Sequence, residues 1–178
     1  MSNTNFFDEN EKVDIEKLTA FNELTGLFDY IEATPVKHHT DASGYTINKF
    51  GETRKFNIEL KNRNLNLLSD GRISGCTSKG ESFFDNTIFI ESHKAADMLF
   101  DEITGLEPLY INFLLDGHII IHHLSKLTKR PHKTGTMNIR SRGYNKFEMA
   151  KRQGLYLTDA VIFDKDGNII KKMGEDFI

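Results

Sequence analysis

Apolar and polar positions alternate most regularly in Lys55-Phe56-Asn57-Ile58-Glu59-Leu60-Lys61-Asn62-Arg63. Strand side chains repeat every two residues, so Phe56, Ile58 and Leu60 point one way and Lys55, Asn57, Glu59, Lys61 and Arg63 share the opposite face. Another β-rich run, Tyr45 to Phe50, precedes it, and Gly51-Glu52-Thr53 supplies a turn. Together they predict an antiparallel hairpin. With Phe50 opposite Arg54, Tyr45 faces Glu59, Ser43 faces Lys61 and Asp41 faces Arg63. Asp41 then lies diagonal to Lys61, at about 7–8 Å, and a bulge at Gly44 would swing it inward.

The period changes on either side of this hairpin. Leu18, Phe21, Leu24, Phe28 and Ile31 recur at helical spacing, predicting an amphipathic helix over 13–31 that follows a frayed start and stops at Pro35. Glu16 and Glu23 lie about 100° from the centre of its apolar stripe, where a side chain either leans toward a neighbouring sheet or stays in water. Residues 64–86 hold turn formers and no period, which predicts a long loop. A strand follows over Thr87 to Glu91, then a helix over 94–103, capped by Ser92, with Ala96, Leu99, Phe100 and Ile103 facing inward. Hairpins are expected around Asp116-Gly117 and around Asp164 to Asn168.

The chain has 178 residues and a net charge of −3, ordinary for one globular domain. No apolar run approaches the roughly 20 residues a spanning helix requires. The acidic start lacks the regions of a signal peptide, so the expected compartment is the cytosol, with no membrane partner. The single cysteine, Cys76, excludes an internal disulfide and a multi-cysteine zinc cluster. Charge is uneven: residues 1–34 carry eight acids against two bases, and residues 126–152 carry nine bases against Glu148 alone. A polyanion would be drawn to the basic stretch, which otherwise is a solvated surface balancing the acidic one.

The side-by-side Glu59 and Lys61 pair a carboxylate able to hold a divalent metal with a cation able to assist a nucleophile, chemistry suited to phosphodiesters. It is equally the pattern of a solvated sheet face. Histidines 38, 39, 118, 122 and 123 show no zinc spacing, and the strand histidines 118, 122 and 123 are expected to be exposed. Asp164 to Asn168 lacks the ligand pattern of a calcium loop. Nucleotide-binding glycine motifs and a Gly-x-Ser-x-Gly elbow are absent.

In the order acidic helix, strand, Asp41, Glu59-Leu60-Lys61 on the next strand, a further strand with Glu91, then a helix, the chain resembles the PD-(D/E)XK, or restriction-endonuclease-like, nuclease superfamily. The likeness covers about residues 13–125; the segment before Asp41 departs from it in lacking a preceding proline and an apolar strand. The resemblance implies an α/β fold, a mixed central sheet flanked by helices in an αβββαβ core, with extra β-hairpins here and a basic β-rich extension over about 126–178 in the same domain. It further implies a metal-dependent nuclease. Asp41, Glu59 and the Leu60 carbonyl would bind Mg²⁺, with Mn²⁺ as substitute. Lys61 would stand beside the attacking water, Glu23 or Glu16 would be a helix-borne acid, and Lys94 would act from the second helix. Expected partners are nucleic acid, DNA ahead of RNA, held by Arg63, Lys129, Arg130, Lys133, Arg140, Arg142 and Lys146, and a second copy if duplexes are cut in pairs. The alternative is a non-catalytic nucleic-acid-binding or structural module, an inactive relative of the same fold. A second carboxylate meeting Glu59 separates the two readings.

Overall fold

The computed structural model describes residues 4–35, 38–77, 79–128, 134–140 and 147–171. Helix α1 (Thr4–Thr25) begins earlier than its pattern suggests and ends sooner. Gly26 stops it by taking a left-handed φ of 60° while its N–H donates to the Asn22 carbonyl at 2.8 Å. Asn22 then locks the exit: its amide donates to the Phe28 carbonyl at 3.0 Å, and its Oδ1 accepts the Phe28 N–H at 2.7 Å. Ile31 is therefore not helical but sits on β1 (Tyr30–Ala33), and Leu24 stays 62% exposed.

After β1 come β2 (Ala42–Ile47), β3 (Thr53–Arg63), β4 (Leu65–Leu67), β5 (Ile73–Cys76), β6 (Ser82–Asp85) and β7 (Thr87–Glu91). Helix α2 (Ser92–Asp101) is followed by β8 (Leu106–Leu114), β9 (Ile119–His123), β10 (Thr134–Arg140), β11 (Phe147–Tyr156), β12 (Ala160–Phe163) and β13 (Ile169–Lys171). Seven strands form the main sheet in the order β1-β2-β3-β8-β9-β12-β13. Every neighbouring pair in it is antiparallel except β3 and β8. That parallel pair requires a crossover, and the segment from β4 to α2 provides it. Residues 64–86, expected to be a loop, instead form a small antiparallel sheet of β4, β5 and β6.

The main sheet is covered on both faces, which explains why β8 is buried from Pro108 onward. On one face Leu18 and Phe21 of α1 pack with Phe28, Phe56, Ile58 and Leu60. Edge-on ring contacts, Phe21 with Phe163 at 5.0 Å and Phe28 with Phe56 at 5.7 Å, close that layer. On the other face Ala95 and Met98 of α2 pack with Tyr110, Leu114, Ile120 and Leu155. The inward side of α2 is thus Ala95 and Met98, whereas Leu99, Phe100 and Ile103, expected inside, are 40%, 69% and 78% exposed. A second three-stranded sheet, β10-β11-β7, adjoins α2, so strands from beyond residue 126 complete the cover over the Glu59 face.

Candidate active site

The hairpin register decides which side chains meet. Ile47 pairs with Thr53 and Ala42 with Ile58, four residues out of step with the expected register because the turn spans residues 48–52. Asn48 holds that turn, its Oδ1 accepting the N–H groups of Phe50 and Glu52. Extending the observed register by one residue puts Asp41 opposite Glu59, not opposite Arg63. The Asp41 N–H donates to the Ile58 carbonyl at 3.0 Å, and the Leu60 N–H donates to Asp41 Oδ2 at 2.7 Å. No bulge is involved: pairing runs unbroken through Gly44, where a Cβ would lie 2.9 Å from the Tyr30 carbonyl oxygen.

Glu59, 0% exposed, is buried under α2 and not on a solvated face. Its Oε1 accepts Lys61 Nζ at 2.6 Å and also Lys94 Nζ from α2, while Oε2 has no hydrogen-bond partner among the described residues. A buried carboxylate is tolerable only when cations compensate the lost hydration. Burial alone would raise the Glu59 pKa, but Lys61 and Lys94 hold it below the ordinary carboxylate value. Lys61 shows the converse: burial opposes its charge, and Glu59 and Asp41 raise its pKa above the usual lysine range. Asp41 is pushed up to about 6, by burial first and by the adjacent Glu59 charge second, partly offset by Lys61 and the Leu60 N–H.

The acid that α1 contributes is Asp14. Its pKa is raised by burial, with Lys61 and Lys17 pulling it down and the Glu59 charge pushing it up; it accepts a hydrogen bond from the Asn62 amide, whose Oδ1 accepts from Lys17. Glu23 and Glu16, the expected candidates, are exposed, and Glu16 lies 3.9 Å from Lys12 in a surface pair. The signal for Asp14 was in the spacing: Asp14, Leu18 and Phe21 fall at i, i+4 and i+7, on one helix face. Running the helix on to Ile31 moved the inferred stripe toward its C-terminal half and hid that acid.

A latch ties the Asp41 loop to α2. His39 Nε2 contacts Asp101 Oδ2 at 2.5 Å, and the Asn57 amide donates to the same oxygen at 2.8 Å. The His38 ring stacks on His39 with centroids 4.4 Å apart. Arg63, expected to reach nucleic acid, is tied down: it donates to the Phe89 carbonyl at 2.6 Å, to Asn112 Oδ1 at 3.0 Å and to the Tyr110 hydroxyl. Lys129, Arg130, Lys133, Arg142 and Lys146 lie outside the described residues, and Arg140 closes β10.

Two histidines expected to be exposed are buried. His122 Nε2 donates to the Tyr156 carbonyl at 2.9 Å, and burial lowers its pKa to about 3; His123 Nε2 contacts Glu107 at 2.7 Å. Among the described residues no group of three or more His, Cys, Asp and Glu side chains is arranged to hold a metal, and no helix is long and apolar enough to cross a membrane. Comparison with family models, curated proteins and solved structures returned no match.

Proposed function

We propose that the chain is a metal-dependent phosphodiesterase acting on nucleic acid, DNA ahead of RNA, of the restriction-endonuclease-like kind that its Glu-Leu-Lys strand resembles. The observation that carries this reading is the second carboxylate: Asp41 stands against Glu59, with two lysines on the same buried oxygen. The order of α1, β1 to β3, α2 and a β8 parallel to β3 is compatible with the αβββαβ core.

The donor set suits a hard cation bound through few protein ligands. Mg²⁺ keeps several waters and is commonly held by one or two carboxylates, so a larger cluster is not required. Glu59 Oε2 is buried without a hydrogen-bond partner among the described residues, and Asp41 presents a carboxylate beside it. N–H and C=O of one strand residue point to the same side, so the Leu60 carbonyl faces the edge where its N–H meets Asp41, beyond the start of β2. When bound there, Mg²⁺ or Mn²⁺ would supply Lewis-acid polarisation of the phosphodiester. Lys61, its side chain 32% exposed, presents an ammonium to charge developing on the phosphoryl oxygens or to the attacking water. Lys94 and Lys61 together keep Glu59 ionised.

The reading is tested by incubating labelled single- and double-stranded oligonucleotides with Mg²⁺ or Mn²⁺, using the wild-type protein and Glu59→Gln. Metal-dependent cleavage in the wild type and none in the variant, with Mn²⁺ affinity by calorimetry lost in parallel, is the expected result. Equal Mn²⁺ affinity in both proteins rejects the site.

A further inference from the structure

Just past the Glu59-Lys61 segment, β3 runs into an open cleft of about 820 Å³ between the small β4-β5-β6 sheet and β7. Its volume falls in the roughly 300–1,000 Å³ range of sites that enclose a drug-sized ligand, room for a few rings. Arg63 and Phe89 also line a smaller cavity of about 60 Å³ that contains Lys61 and Lys94. The cleft therefore adjoins the small cavity lined by the two lysines that hold Glu59.

The cleft lining combines planar and cationic groups. The Arg152 guanidinium from β11 lies 3.9 Å from the centroid of the Phe89 ring, and its buried Nε has no hydrogen-bond partner among the described residues. Phe83 supplies a second half-buried ring from β6. The small sheet is shaped to present it: a Cβ at Gly75 would lie 2.6 Å from Leu65 Cδ2 and 3.1 Å from the Phe83 ring. Asp85, the carboxylate of this lining, is turned into its own loop, accepting the N–H groups of Asn86 and Thr87 and the Thr87 hydroxyl.

We propose that this cleft binds an unpaired polynucleotide strand, its bases stacked on Phe83 and the Arg152–Phe89 pair and its backbone led toward Lys61 and Lys94. Aromatic faces with guanidinium planes bind bases of any sequence, and bases reach such faces only when unstacked from a complementary strand. The proposal rests on the phosphodiesterase reading for its class of ligand and adds that the substrate enters single-stranded.

Binding is measured by fluorescence anisotropy in EDTA, so no cleavage interferes, with oligothymidylate, oligouridylate and a duplex of the same length. Both single strands are expected to bind more tightly than the duplex, the tighter one naming the sugar. Arg152→Gln should weaken single-strand binding about tenfold, equivalent to about 1.4 kcal/mol, and duplex binding less than about twofold. Exposed Cys76, the only cysteine and part of the cleft lining, reports on the wild type without a variant: saturating single strand should slow its alkylation and duplex should not. Undiminished alkylation under saturating single strand, or equal losses for single strand and duplex in Arg152→Gln, overturns the proposal. Metal-dependent cleavage with no single-strand protection of Cys76 leaves the phosphodiesterase and removes the cleft. Protection without cleavage under any metal does the reverse.

Discussion

At the residue scale, Lys61 and Asp41 have separable roles. On the proposed phosphodiesterase reading Lys61 would act on charge that develops during reaction, so Lys61→Ala should lower the single-turnover cleavage rate by about a hundredfold or more while leaving oligonucleotide affinity nearly unchanged. Parallel losses of both would make Lys61 a binding contact only. Asp41 carries a stability signature. Its carboxyl rises from 3.8 to about 6 on folding, so between those values the folded chain binds more protons than the unfolded one. Asp41's contribution to stability therefore falls as pH rises through that window. Urea titrations in EDTA should show this pH-dependent decline in the wild type and a smaller one in Asp41→Asn. An identical slope in the two proteins would place the proton elsewhere. His122 acts in the opposite sense: neutral in the fold, with a pKa of about 3, it favours the unfolded chain increasingly as pH falls below 6.5.

At the scale of elements, α2 has a clear inside and outside. Met98 is 0% exposed, so Met98→Ala should cost about 2–5 kcal/mol in urea denaturation, whereas Leu99→Ala should cost under about 1 kcal/mol. The reverse ranking would restore the sequence-based assignment of its faces. That assignment went wrong because both sides of α2 are apolar, and only tertiary contact with Tyr110 and Leu114 selects one. β3 was legible because strict alternation admits one geometry, and the pairing of Glu59 with Lys61 followed from it. The burial of its polar face was not legible, since the cover comes from α2 and from β11, distant in sequence. The hairpin register was misjudged through one short turn: Asn48 caps five residues where three were allowed. Correcting it moves Asp41 onto Glu59, so an error in a turn was also an error in the site.

At the scale of the whole molecule, charge is segregated, with acids concentrated in residues 1–34 and bases in residues 126–152. If the basic stretch holds a phosphate backbone, the logarithm of affinity should fall linearly with the logarithm of salt concentration. Changing Arg140 and Arg142 together to glutamine should then flatten that slope by about 1–2. An unchanged slope would leave the stretch as solvated surface. The parallel pairing at the centre of the sheet has a different consequence, in time. Lys55 pairs with Leu106 and Arg63 with Leu114, a constant offset of 51 residues. At roughly 5–20 residues per second, a ribosome needs about 3–10 s to supply that length. For that interval β3 has its β8-facing edge open, the condition under which strands recruit wrong partners. β3 thus spends the first part of synthesis with an edge that its own sheet cannot yet close.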